Sequence, residues 1–284
     1  MSESKSKKSL SPREIECWTP PSLRYVVGCS EVKEHFADML RVDGFGPNTL
    51  ITGAPRTGKT AIVRAYLRTL MCPDRNLYTL DVCGNCQSCM HFNPSSANVG
   101  VNVNLFARAE ARYAPIHYVP VDCSAITTEQ WEQCMALLQE VMRRNEANHR
   151  EDLTVVYLDD FHYLKYRGLM GSLLHYIDEL NVVWIASARL ASAFSQEVLN
   201  LFAGVLSTTL ATPEEFLGFV QDRCHEWGVK PHDRVSLILL AHYSKLLPSL
   251  AISFLASTAG KEDRTFDGAD VENYFRDENN GDDA

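Results

Sequence analysis

Short apolar runs alternate with amphipathic segments through the first two thirds of the chain. Five of these runs have the length and composition of buried strands: 48–53, 116–123, 153–159, 182–188 and 205–211. Segments with helical periodicity lie between them, at 58–72, 127–145, 165–180 and 191–202. The alternation predicts an α/β fold in which a five-stranded parallel sheet carries helices on both faces.

The pattern changes at Thr212, which is followed by Pro213, Glu214 and Glu215 and is typical of a helix N-cap. Three helical segments follow without a strand, so the sequence predicts a small helical lid after the sheet domain. The expected division is a flexible N-terminal tail at 1–20, a P-loop sheet domain at 21–211, a lid at 212–261 and an acidic C-terminal segment at 262–284.

Composition places the chain among ordinary globular proteins, with 284 residues, 45% hydrophobic and 22% charged. The net charge of −9 argues weakly against a surface that binds nucleic acid throughout, although a local basic patch could still hold DNA. The first residues are polar, and no apolar run reaches the length of a membrane span. We therefore expect a cytoplasmic protein without a membrane partner.

The segment 53–60 reads GAPRTGKT, between an apolar strand and a helical segment, which is the setting that a P-loop requires. Glycines at both ends let backbone N–H groups turn toward phosphate oxygens, and the helix N-terminus adds a positive dipole end. Lys59 is expected on the terminal phosphates and Thr60 on magnesium. The predicted nucleotide-binding residues are Gly53, Ala54, Pro55, Arg56, Thr57, Gly58, Lys59 and Thr60. The alternative is a chance turn rich in Gly and Thr.

Two carboxylates, Asp159 and Asp160, follow the buried strand predicted at 153–159. Asp159 is expected in the outer shell of the magnesium ion. Asp160 takes the place where many ATPases carry a glutamate that activates water. The alternative is an ordinary acidic pair at the surface end of a strand.

Four cysteines follow the P-loop helix within one short segment: Cys72, Cys83, Cys86 and Cys89. Four thiolates can close a tetrahedral shell around zinc, which is typical of a structural site. His91 is an alternative fourth ligand to Cys72, and four free thiols are the other possibility. The remaining cysteines are predicted to be small buried apolar residues: Cys17, Cys29, Cys123, Cys134 and Cys224.

A P-loop sheet domain with a helical lid resembles the AAA+ ATPases. The four-cysteine spacing after the P-loop helix resembles, within that group, the bacterial clamp-loader subunits of the DNA polymerase III gamma/tau and delta-prime type. The resemblance covers roughly residues 20–260. It implies ATP, Mg²⁺ and Zn²⁺ as cofactors, a segment at 26–32 close to the adenine, and Ser187 as a first sensor facing the γ-phosphate. Implied partners are other AAA+ clamp-loader-like subunits, a sliding clamp, a DNA polymerase and primer-template DNA.

The sequence also departs from that family. The stretch after the first sensor, 196–206, has no arginine to serve as a finger, and Ser249 stands where the lid arginine is expected. Arg189 is the nearest remaining candidate. An added loop is expected at 92–114, and no collar domain is evident. The favoured function is a clamp-loader-like subunit in DNA replication or repair whose ATP hydrolysis is weak or partner-dependent. The alternatives are an AAA+ switch in transposition or defence and a purely structural subunit.

Overall fold

A computed structural model describes residues 11–16, 18–91, 104–106, 116–148 and 152–281. Its main sheet has six strands in the order β2-β3-β4-β5-β1-β6. The strands are β1 (Thr49–Thr52), β2 (Asn104–Phe106), β3 (Ile116–Asp122), β4 (Leu153–Asp159), β5 (Val183–Ala188) and β6 (Gly204–Ser207). All pairs are parallel except β2 with β3. The five predicted parallel strands are confirmed.

The antiparallel edge strand β2 was not predicted, because it lies inside the segment assigned to an added loop at 92–114. The rest of that segment is outside the described residues. An edge strand of three residues carries too little periodicity to be distinguished from a loop in the sequence.

Twelve helices lie in the described part of the chain: α1 (Pro12–Glu16), α2 (Ser30–Arg41), α3 (Lys59–Met71), α4 (Gln87–His91), α5 (Thr128–Ala147), α6 (Tyr163–Tyr166), α7 (Met170–Glu179), α8 (Gln196–Leu199), α9 (Pro213–Trp227), α10 (Arg234–Tyr243), α11 (Pro248–Ala259) and α12 (Gly268–Gly281). Single 3₁₀ turns occupy Leu23–Tyr25 and Ala191–Ala193, and β7 (Lys230–Pro231) pairs with β8 (Thr265–Phe266).

Two of the predicted helices are shorter or interrupted. The helix expected at 165–180 is divided into α6 and α7, because Gly168 has φ of 71°, a conformation that ends a helix. The helix expected at 191–202 consists of a 3₁₀ turn followed by the four residues of α8. In both places the helical pattern of the sequence continues across a break in the helix, so the break was not predicted.

Each face of the sheet carries a hydrophobic core. On one face α2 and α3 pack together, and the rings of Phe36 and Tyr66 stack with centroids 4.3 Å apart. On the other face the fully buried Trp131, Trp184 and Phe161 pack among α5, α7 and the strands. The sheet is therefore covered on both sides, as the near-continuous apolar strands predict.

A third core forms the lid and includes segments from both ends of the chain. Ile15 of α1 is completely buried there, so the predicted tail at 1–20 contains an anchored helix. In the acidic segment predicted at 262–284, α12 also packs here through Val271 and Phe275. An amphipathic helix buries its apolar stripe whatever the net charge of its other face, which explains why charge alone was misleading.

The scattered cysteines are buried where they are described: Cys29, Cys123, Cys134 and Cys224. Cys17 lies outside the described residues. Across the same described part of the chain, no helix combines the length and the apolar character needed to cross a bilayer.

Candidate nucleotide and metal sites

The predicted P-loop runs from the end of β1 to the start of α3. Gly53 has φ of 153° and Gly58 has φ of 88°, values that L-residues rarely adopt. The Gly53 N–H donates to the carbonyls of Ala188 and Arg189, which fixes the loop to the end of β5. Thr57 closes the turn by donating its hydroxyl to the Ala54 carbonyl at 2.8 Å. The exposed part of the loop consists of Ala54, Pro55 and Arg56.

Lys59 is the first residue of α3 and is only 8% exposed. Its ammonium donates to the carbonyls of Gly53 and Ala54, both at 2.8 Å. Burial lowers the pKa of Lys59, while the nearby carboxylates of Asp160 and Asp159 act in the opposite direction. The ammonium of Lys59 is thus already hydrogen-bonded to the loop backbone. When a nucleotide binds, a phosphate oxygen would replace one of these carbonyls as the acceptor.

Thr60, in the first turn of α3, contacts Asp159, the last residue of β4. The Thr60 hydroxyl lies 3.2 Å from Asp159 Oδ1 and 3.1 Å from Oδ2. A hydroxyl beside a carboxylate at the end of a P-loop is the ligand pair that holds magnesium in P-loop proteins. Their side chains, with Lys59, form a donor set that fits a magnesium-bound nucleotide.

Ser187 lies in β5 and is fully buried. Its hydroxyl donates to Asp159 Oδ1 at 2.6 Å and accepts the N–H of Asp160 at 3.1 Å. Asp160 has φ of 52°, so the chain turns sharply directly after Asp159. The side chain of Ser187 is therefore engaged with the carboxylate of Asp159, and its expected position facing a γ-phosphate stays a prediction.

A cleft of about 140 Å³ lies beside the P-loop, between the sheet domain and the lid. The loop contributes Arg56, Thr57 and Gly58 to its wall. The opposite wall comes from the lid and includes Phe219, Ser249 and Ile252. Its other lining residues are Trp18, Thr19, Pro20, Tyr25, Val26, Val27, Cys29, Ala61 and Pro248. The segment predicted to lie near an adenine, 26–32, thus supplies part of a mostly apolar wall.

Three contributors to this region were not predicted. Thr208, just after β6, lies 2.7 Å from Thr57 between their hydroxyl oxygens and supports the loop from behind. Trp18 lines the cleft. The Arg223 guanidinium carbon lies 5.0 Å from the centre of the Trp18 ring, and this contact joins the N-terminal segment to the lid. Tyr157 donates to Asp159 Oδ1 at 2.8 Å. Residues i and i+2 of a strand share a face, a signal that could have paired Tyr157 with Asp159.

The four predicted metal ligands come together at the far end of α3. The sulfur atoms of Cys72, Cys83, Cys86 and Cys89 all lie within 4.8 Å of one another. Two sulfur distances are 3.6 Å for Cys72–Cys83 and 3.9 Å for Cys83–Cys89. Four sulfurs at zinc bond length on a tetrahedron are about 3.8 Å apart, so the geometry fits a closed zinc site.

Backbone groups support the cysteine cluster. The N–H of Cys83 points at Cys72 Sγ and the N–H of Cys89 at Cys86 Sγ, both at 3.4 Å, an arrangement that stabilises thiolates. Burial raises the pKa of Cys72 to about 11, so a bound metal would have to displace its proton. The side chain of His91, the alternative ligand, is outside what the structure describes.

No protein-family model matches this chain, and no curated protein resembles it in sequence. Several solved structures have a similar fold. The RuvB Holliday junction branch migration motor of Thermotoga maritima has a TM-score of 0.53 at 13% identity, covering 89% of this chain and 70% of that one. A RuvB variant from the same organism has a TM-score of 0.54 at 14% identity, with coverages of 90% and 72%.

PCH-2 of C. elegans has a TM-score of 0.51 at 17% identity, covering 86% of this chain and 66% of that one. RuvB and PCH-2 are AAA+ ATPases, so this chain has the AAA+ fold. At these identities the likeness concerns the fold alone.

Proposed function

We propose that this chain binds ATP with Mg²⁺ in the cleft between its sheet domain and its lid. The contact of Thr60 with Asp159 at 3.1 Å, beside the buried ammonium of Lys59, is the observation that carries this proposal. Lys59 would neutralise phosphate charge, and Thr60 and Asp159 would hold the magnesium side of the nucleotide. Bound Mg²⁺ would supply charge stabilisation at the phosphates.

We further propose that the chain works as a clamp-loader-like subunit in DNA replication or repair, with other AAA+ subunits as partners. The support is the cysteine cluster, because its four sulfurs converge directly at the end of the helix that begins at the P-loop. Hydrolysis would depend on a partner, since the stretch 196–206 has no arginine to serve as a finger. A sliding clamp, a polymerase and primer-template DNA are the expected contacts of such an assembly.

The alternative function is an AAA+ switch that binds nucleotide and a regulated partner but turns over slowly. The side chain of Asp160 favours the switch, because an aspartate is one methylene shorter than a glutamate and reaches less far toward an attacking water. The two functions share the nucleotide site and differ in their partners.

Affinity purification of the tagged full chain from its native cells, in the presence of Mg²⁺-ATP, distinguishes these functions. Recovery of AAA+ subunits with clamp or polymerase proteins supports the clamp-loader proposal, and recovery of a transposase or a defence effector supports the switch. The matched control is Lys59→Ala, which should lose any partner whose binding requires the nucleotide. Nucleotide-independent recovery of unrelated proteins by both forms would contradict both functions.

A further inference from the structure

The carboxylate of Asp159 is held by an unusual set of donors in the interior of the sheet. Tyr157 and Ser187 are 2% and 0% exposed, and their hydroxyls lie 2.8 and 2.6 Å from Asp159 Oδ1. The N–H of Asp160 approaches the same oxygen at 3.1 Å. Each hydroxyl has one proton, and these distances direct both protons to Oδ1.

The other carboxylate oxygen of Asp159, Oδ2, differs from Oδ1 in its hydrogen-bond donors. Within the described part of the chain, Oδ2 of Asp159 accepts a hydrogen bond from the Thr60 hydroxyl alone, at 3.1 Å. Thr60 is the residue whose hydroxyl would turn to magnesium when a nucleotide binds. Oδ2 would then be the oxygen left to accept from a water on the metal, while Oδ1 stays occupied by its buried donors.

We propose that Tyr157 and Ser187 are positioning residues that fix the rotamer of Asp159, so that Oδ2 faces the magnesium side of the nucleotide site. This inference rests on the proposed nucleotide binding. Neither side chain is placed to touch the nucleotide, because both are buried behind the carboxylate. The role assigned to Ser187 therefore differs from that of a sensor that contacts a γ-phosphate.

The phenol of Tyr157 is suited to this role at any working pH. Burial, followed by the negative charge of Asp159, raises the pKa of Tyr157 well above its ordinary value, so the hydroxyl keeps its proton and remains a donor. A hydrogen bond to a charged group typically contributes more than one between neutral groups. Loss of the hydrogen bond from Tyr157 would let the carboxylate of Asp159 turn away from the magnesium side of the nucleotide site.

The test compares nucleotide affinity with Mg²⁺ and with a chelator, measured by calorimetry on the full chain with ADP and with a slowly hydrolysed ATP analogue. In Tyr157→Phe the gain in affinity due to Mg²⁺ should shrink by about tenfold for both nucleotides, because one charge-assisted hydrogen bond is lost. Ser187→Ala should behave in the same way. Tyr66→Phe is the matched control, since it removes a hydroxyl from a ring stacked on Phe36, and it should retain the full gain.

ADP separates the two roles of Ser187, because it has no γ-phosphate. A Ser187→Ala protein that loses affinity for the ATP analogue but keeps the full Mg²⁺ gain with ADP would overturn the positioning role of Ser187. Full retention of the gain in both Tyr157→Phe and Ser187→Ala would overturn the inference while leaving nucleotide binding intact. A wild-type protein with no Mg²⁺-dependent gain would overturn the proposed function together with this inference. Melting temperatures recorded on the same samples ensure that only folded variants are compared.

Discussion

Gly53 is the position where the P-loop leaves least room for a side chain. A Cβ atom added there would lie 1.9 Å from Thr208 Oγ1, and the residue has φ of 153°. Gly58, at the other end of the same loop, has φ of 88° and no heavy atom within 4 Å of its added Cβ. We therefore predict that Gly53→Ala destabilises the fold much more than Gly58→Ala.

The expected magnitude follows from what Thr208 must give up. To clear the new methyl group its hydroxyl has to move by more than 1 Å, since such contacts are essentially never shorter than 3.0 Å. The move breaks the hydrogen bond made by the single hydroxyl proton of Thr208, which can be directed to Thr57 Oγ1 at 2.7 Å or to the Thr52 carbonyl at 3.2 Å. One hydrogen bond contributes about 1 kcal/mol and the unfavourable φ about 1–3 kcal/mol, so Gly53→Ala should cost about 2–4 kcal/mol. Gly58→Ala should cost only the backbone part, about 1–2 kcal/mol.

The measurement is the free energy of unfolding from urea denaturation of nucleotide-free protein, with Thr208→Ala and the double variant Gly53→Ala, Thr208→Ala included. Because the clash already removes the hydrogen bond of the Thr208 hydroxyl, the double variant should be about as stable as Gly53→Ala alone. The two single costs should therefore be non-additive by about 1 kcal/mol. Equal destabilisation by the two glycine substitutions, or strict additivity of the double variant, would refute the reasoning.

Three further predictions concern the metal and the nucleotide. The purified protein should contain about one zinc per chain by elemental analysis after mild chelation, and Cys86→Ser should lose this zinc. Metal-free protein with four freely titrating thiols would contradict the prediction. Lys59→Ala should weaken Mg²⁺-ATP binding by more than about tenfold in calorimetry, and equal affinities would exclude the loop as the site. Isolated protein should hydrolyse ATP very slowly, and Asp160→Glu should raise the rate only modestly, because a missing arginine finger costs about 10³–10⁵ in rate. Robust steady-state turnover by dilute monomer would contradict that expectation.

The sheet and its order of elements could be predicted because they depend on local pattern. A buried parallel strand is largely apolar along its length, and the runs at 153–159 and 182–188 met that condition before a helical segment. The convergence of Cys72 with the C-x-x-C-x-x-C run was also predictable, since the spacing itself limits how far the thiols can separate. In both cases the information lies within a few consecutive residues.

The contacts around Asp159 could not be predicted in full, because they join residues distant in sequence. Ser187 reaches Asp159 across 28 positions, and the side on which its hydroxyl points depends on the register between β4 and β5. The packing of α12 was missed for a related reason. Its acidic face dominates the composition, while its core contact rests on a few residues, among them Val271 and Phe275.

The helix α3 explains why the P-loop and the cysteine cluster belong to one structural unit. It begins at Lys59, directly after Gly58, and ends at Met71, directly before Cys72. At 1.5 Å per residue its 13 residues span about 20 Å, so one rigid element separates the P-loop from the cysteine cluster.

Side-chain contacts join the cysteine segment to its surroundings. Arg68 of α3 donates to the carbonyl of Cys89 at 2.9 Å, and Arg24 pairs with Asp81 at 3.1 Å. The segment that contains the four cysteines is thus joined to the P-loop helix through Cys89 and to the segment beside the cleft through Asp81. A zinc ion bound by the four cysteines would strengthen this connection without offering an open coordination position.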